Sequence, residues 1–206
     1  MNDYLGGSKK IDIAINAIAS ITSRLSPLIH TGLRVYGHKN GFNQILGCNA
    51  SDLVSPIIPN NAENINYVLS KIRATGWTPI TRSLKNAVNY DFAGITGQKR
   101  IILLTDGGEN CDERPCDYAI NLGQTRYDIK IDVIEFAIDD PLADSQLKCT
   151  ALTTSGKLYK ADDAESLTRS LEQALNVSTD ALFGFSSESY DHKFAEEIYF
   201  QATNLR

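Results

Sequence analysis

The 206-residue sequence predicts an α/β fold, a doubly wound, mostly parallel sheet with helices on both faces. Three observations predict it. First, Arg100-Ile-Ile-Leu-Leu-Thr-Asp-Gly-Gly-Glu-Asn110 contains an unbroken apolar run, Ile101 to Leu104, of the kind a strand shows when helices cover both its faces. Second, strand-like segments alternate along the chain with segments whose apolar residues recur every three or four positions. Third, a hydrophobic content of 42% and a charged content of 22% are those of an ordinary globule, and the length suits one medium domain.

Taken in order, Ser8 is placed to cap a helix carrying Ile11, Ala14, Ile15, Ile18, Ile21 and Leu25, which Pro27 ends. Gly32 to His38 alternates as a half-covered strand does, and Lys39-Asn-Gly41 signals a turn. Phe42 to Leu46 reads as a short return strand at an edge, and Gly47 to Asn60 as an irregular loop. Asn61 begins a helix with Ile65, Val68, Leu69 and Ile72. Pro79 fits a first helical turn and makes Thr78 the N-cap of a helix buried through Ile80, Leu84, Ala87 and Val88. After the 101–104 strand, Pro115 opens a helix with Tyr118, Ala119 and Leu122. Ile129 to Ile138 is a second long strand, broken by Asp139-Asp-Pro141. A helix with Leu147, Ala151 and Leu152 runs to Gly156, and Lys157 to Ala161 is a short strand. Asp162 and Glu165 have capping-box spacing before a helix packed through Leu167, Leu171 and Leu175. The organisation is therefore a domain over residues 1–177 and a tail over 178–206, with Phe194 to Ala202 read as helical.

A net charge of −5 and the lack of a basic stripe exclude a nucleic-acid groove. No apolar run approaches the ~20 residues of a membrane span, and Met1 to Lys10 has no signal-peptide segment. Cys48, Cys111, Cys116 and Cys149 allow three pairings. Cys111 and Cys116 share one loop, which suits a local disulfide in an oxidising compartment or a pair of reduced thiols in the cytosol, whereas the spacings do not suit zinc.

Asp106 stands at the carboxyl end of a central strand, where the glycines turn the chain and where open α/β sheets place their ligands. Its carboxylate either suits a hard cation or only bonds the turn. The Thr78 hydroxyl, at a helix start, either caps that helix or faces a metal. Glu109, Asp112, Glu113 and Asp117 could extend a cation site or select a basic partner, but read first as a solvated acidic face. His30, His38 and His192 lack metal-ligand spacing, with His38 expected at the surface, and there is no phosphate loop or nucleophile elbow.

Gly76-Trp-Thr-Pro79, Leu104-Thr-Asp-Gly-Gly108, and Gly6 to Ala14 followed by Gly32 to His38 together resemble a von Willebrand factor type A (VWA) domain over roughly residues 6–175. Glu109-Asn-Cys111, Pro115-Cys116 and Gln146-Leu-Lys-Cys149 resemble a bacterial subgroup that is often exported, which implies a periplasmic or other extracytoplasmic setting. The resemblance implies a metal-ion-dependent adhesion site (MIDAS). Thr78 and Asp106 would be two of its ligands, Mg²⁺ or a similar ion its cation, and a partner protein's acidic residue would complete the coordination.

The family's Asp-x-Ser-x-Ser motif and the first strand before it have no counterpart; the chain reads as beginning just after them. In a sheet ordered 3-2-1-4-5-6 that strand is central. Three arrangements follow: a truncated domain, closure of the neighbouring strands, or replacement by another segment, for which Ala181 to Tyr190 is the candidate. The expectation is a non-enzymatic protein-interaction module with an incomplete, weak cation site. The alternatives are a metal-assisted hydrolase using Asp106 and nearby carboxylates, and a structural domain that has lost its site.

Overall fold

The computed structural model describes residues 1–39, 43–175 and 197–202. Its six-stranded sheet has the order β4-β3-β8-β5-β6-β7, where β3 is Thr31–Tyr36, β4 Ser51–Ile58, β5 Lys99–Thr105, β6 Ile129–Phe136, β7 Leu158–Ala161 and β8 Glu197–Ala202. Only β4 runs antiparallel to its neighbour. The doubly wound α/β class expected from the sequence is what forms.

The β5 run is apolar without interruption because each face meets a helical layer. Ile102 and Leu104 join Leu33, Val35, Ile134 and Phe136 against α1 (Lys10–Thr22), α3 (Ala62–Leu69) and α7 (Ala164–Leu175). Ile101 and Leu103 join Ile131 and Val133 against α4 (Ile80–Asn86), α5 (Pro115–Thr125) and α6 (Pro141–Leu152). Each such side chain stabilises the fold by roughly 1.5–3 kcal/mol through removal from water. A π-helical turn over Ala87–Asp91 continues α4.

The centre of the sheet departs most from expectation. β3 and β5 do not close on one another, and neither is left unpaired. β8 lies between them, parallel to both, with Thr31 opposite Ile198 and Lys99 opposite Glu197. The tail thus contributes a strand over Glu197–Ala202 where a helix over Phe194 to Ala202 was read. Its Glu-Ile-Tyr-Phe-Gln-Ala sequence is rich in strand formers, and two flanking strands offer it their backbone groups. The segment expected to fill the gap, Ala181 to Tyr190, lies outside the described residues.

Other boundaries differ for local reasons. The return strand is β4, not Phe42 to Leu46. Its buried positions include Ser51 and Ser55, so no apolar alternation announces it, and Pro56 is tolerated because β4 is an edge. Gln44–Cys48 is instead a short helix, α2, capped by Asn43 Oδ1 accepting from the Leu46 N–H at 3.0 Å. The α7 cap is one residue later than read: Asp163 accepts from the Ser166 N–H at 2.7 Å, and Ser166 Oγ accepts from the Asp163 N–H at 3.0 Å. Before α1, a hairpin of β1 (Tyr4–Leu5) and β2 (Ser8–Lys9) turns on Gly6 and Gly7, both at positive φ. It folds Met1 back so that the Met1 carbonyl accepts from the Ile11 N–H at 2.9 Å.

Candidate functional site at the carboxyl edge of the sheet

Thr105 ends β5, and the chain turns at once. Thr105 Oγ1 donates to the Gly107 carbonyl at 2.6 Å and accepts from the Gly107 N–H at 3.2 Å. This tight loop sets Asp106 at the strand end, 4% exposed. Thr78, fully buried, lies in the loop between α3 and α4, two residues before α4. Asn110 ties this loop to the one after β5. Its Oδ1 accepts from the Thr78 N–H at 2.6 Å, and its own N–H reaches the Thr78 carbonyl at 3.4 Å. Thr78 precedes α4 by two residues, and its carbonyl accepts from the Ile80 N–H at 3.1 Å.

The loop after Asp106 is pinned from both sides. Glu109 is half-buried, its two carboxylate oxygens accepting from the Thr81 N–H at 2.8 Å and the Cys111 N–H at 3.0 Å. Burial pushes its carboxyl above the usual range, while those donors pull the other way. The acidic run is therefore not a uniform solvated face. Glu109 is a strut, Glu113 pairs with Lys85 and Asp117 with Arg114. Cys48 bonds Cys111 and Cys116 bonds Cys149, so the local Cys111–Cys116 pairing does not form. The first disulfide anchors α2 to the loop, and Trp77 packs so tightly on α2 that a Cβ at Gly47 would lie 2.0 Å from the indole. The second ties the start of α5 to α6.

The electrostatics of Asp106 are unusual. Its Oδ2 pairs with the α-ammonium group of Met1, both side chains being shut from solvent. Its Oδ1 is buried with no hydrogen-bond partner. Burial raises the Asp106 carboxyl pKa and lowers that of the Met1 amine, each partner opposing the shift of the other. The buried Tyr36 hydroxyl and Thr81 Oγ1 face Thr105 and Glu109 without a hydrogen bond of full geometry. Glu135, at the end of β6, has an unpartnered Oε1 as well, and burial with the neighbouring Asp144 charge pushes its pKa up to about 7. His38, expected at the surface, has a largely buried side chain whose Nε2 is 2.8 Å from Asp52 Oδ2.

Among the described residues, no three His, Cys, Asp or Glu side chains gather into a metal cluster. Asp106 and Thr78 offer one carboxylate and one hydroxyl, the chemistry of a hard cation that keeps much of its water. The unpartnered Asp106 Oδ1 fits such an ion. The sequence pointed to Thr78 and Asp106, but gave no sign of Tyr36, Thr81 or Asn110. Thr81 follows Thr78 by three residues, the only available hint.

No family model matches the chain. Among curated proteins it is similar to the uncharacterized protein YwmD of Bacillus subtilis, 27% identical over 180 residues, covering 85% of this chain and 80% of that one. Among solved structures it is similar to proximal thread matrix protein 1 from the mussel byssus, in a form with a zinc-occupied MIDAS motif. That match has TM-score 0.61 and 17% identity, covering 81% of this chain and 40% of that one. It is also similar to the SpRpn10 VWA domain, with TM-score 0.60 and 12% identity, covering 87% and 90%. These likenesses, together with the strand order and the two-sided helical packing, give the chain a VWA-like fold.

Proposed function

We propose that the chain is a non-enzymatic protein-interaction module that binds its partner at the sheet edge carrying Thr78 and Asp106, with a divalent cation such as Mg²⁺ between them. The observation that carries the reading is the buried, unpartnered Asp106 Oδ1, whose following loop Asn110 ties to the fully buried Thr78. Thr78 and Asp106 would hold the cation, which would supply an open coordination position for an acidic group of the partner. The chain's own part is to fix the two loops rigidly, through Asn110, Glu109 and the Cys48–Cys111 bond.

The site as built is weak. It offers one carboxylate charge, that of Asp106. A Kd for Mg²⁺ on the order of 10⁻³ M is expected, at the weak end of protein sites for hard cations. The two disulfides support an extracytoplasmic setting, and no helix among the described residues is long and apolar enough to cross a membrane. Peptides bearing a single exposed carboxylate, passed over the immobilised chain, test the proposal. Retention in Mg²⁺, release by EDTA, and loss in Thr78→Ala and Asp106→Ala are expected. Retention indifferent to EDTA and to both substitutions would overturn it.

A further inference from the structure

Resting on that reading, we infer that the Cys48–Cys111 bond is a redox control on the cation site, opened by a dithiol reductant, and that the Cys116–Cys149 bond is not. The difference lies in what each bond holds. Cys48 sits on α2, a five-residue helix too short to stand by itself. Its one buried residue is Gly47, while Ile45 and Leu46 are 74% and 52% exposed. Burial of apolar side chains therefore does not hold α2 in place. The disulfide does, helped by Trp77 closing on Gly47 and by Gln44 Nε2 donating to the Asn110 carbonyl at 3.3 Å.

At its other end the same bond holds the loop that follows Asp106. Cys111 Sγ lies 3.8 Å from Asn110 Oδ1, the atom that accepts from the Thr78 N–H at 2.6 Å. The Cys111 N–H donates to Glu109 at 3.0 Å, and the other oxygen of Glu109 accepts from the Thr81 N–H at 2.8 Å. Helix α2 thus braces both loops of the site, one through Trp77 beside Thr78 and one through Cys111. Cutting the bond leaves that brace on a few polar contacts and frees the spacing of Thr78 and Asp106. Cys116–Cys149, by contrast, joins α5 to α6, two longer helices that stay packed through Ala119, Leu122, Leu147 and Ala151. Cys48 and Cys111 are both partly exposed, which leaves their bond open to attack. A thiolate of the dithiol bonds to one sulfur, and the other cysteine leaves as a thiolate. The second thiol of the reductant then displaces the first sulfur. Two electrons and two protons pass to Cys48 and Cys111, and the reductant becomes a disulfide.

Mn²⁺ binding to the full chain, followed by water proton relaxation, tests this on oxidised protein and on protein reduced with dithiothreitol and freed of it under argon. Reduction should weaken Mn²⁺ binding about tenfold, as loss of an outer partner does. Cys116→Ser with Cys149→Ser should keep the wild-type affinity and the full redox response. Cys48→Ser with Cys111→Ser should bind weakly with or without reduction. Hydrogen exchange checks that the change is local: on reduction the Thr78 amide should exchange faster, while those of Ile102 and Ile134 stay protected. If reduction leaves Mn²⁺ affinity unchanged while Asp106→Asn abolishes it, the redox control is wrong and the Thr78–Asp106 reading stands. If oxidised wild type takes up no Mn²⁺, both fall. A response lost in the variant without Cys116 and Cys149, or exchange accelerated throughout the sheet, would also overturn the inference.

Discussion

Two buried polar regions flank the second helical layer, and they are finished to different standards. Around Arg34 on β3, Nε and Nη2 form a two-pronged pair with Asp91 at 2.7 and 2.6 Å. Nη1 donates to the Ser51 carbonyl at 2.7 Å and to Ser51 Oγ at 3.0 Å, and Ser83 Oγ donates to Ser51 Oγ at 2.8 Å. At the carboxyl edge, by contrast, Asp106 buries an oxygen without a partner, and Tyr36, Thr81 and Glu135 each bury one without a hydrogen bond of full geometry. A satisfied network holds elements together, whereas an unsatisfied one costs stability that only a ligand or a proton can return.

The comparison breaks most decisively at Arg34. Arg34→Ala strands the Asp91 carboxylate and frees the π-helical turn, and should cost about 3–5 kcal/mol in urea unfolding. A loss under 1 kcal/mol would mean that the network is ornamental. Removing the Cys48–Cys111 clamp as a double serine variant should cost about 2–4 kcal/mol. Hydrogen exchange sharpens that test. The Thr81 and Cys111 amides should exchange faster in the variant, while those of β3 and β4 stay protected, since the clamp serves the edge and not the Arg34 network.

Much of this was readable in the sequence, and the failures have physical causes. The β5 run announced itself because two helical layers demand apolar side chains at Ile101, Ile102, Leu103 and Leu104 alike. The places of Asp106 at a strand end and Thr78 just before a helix were legible because strand ends and Thr-Pro helix starts have local signatures. Strand β4 was hidden, because serines rather than aliphatic residues fill its buried positions. Strand β8 was hidden because its place depends on two partners far away in sequence. Glu109 looked like one acid among four, and only the fold shows its oxygens spent on backbone amides. The cysteine pairing likewise follows from where α2 and α6 come to rest.

Glu135 gives the edge a pH signature. Its pKa rises from 4.5 to about 7 in the fold, so the folded chain holds a proton there that the unfolded chain has released. The native state is favoured by this group below about pH 4.5, and that advantage is lost as pH rises to about 7. The full effect is at most about 3 kcal/mol. Lys160 from β7 and Asp144 from α6 face the group and act in opposite directions, with Asp144 the stronger. Glu135→Gln should therefore flatten the stability profile between pH 4.5 and 7, gaining at pH 8 and little at pH 4. A variant whose profile parallels the wild type throughout would remove Glu135 from the unsatisfied set.

The measurement closest to the central claim is thermal unfolding of wild type and Asp106→Asn across rising Mg²⁺. If the edge is a cation seat, the wild-type Tm climbs with Mg²⁺, reaching about 1.4 kcal/mol of added stability at ten times Kd, and the variant stays flat. Equal shifts in both proteins, or none in the wild type, would contradict the account.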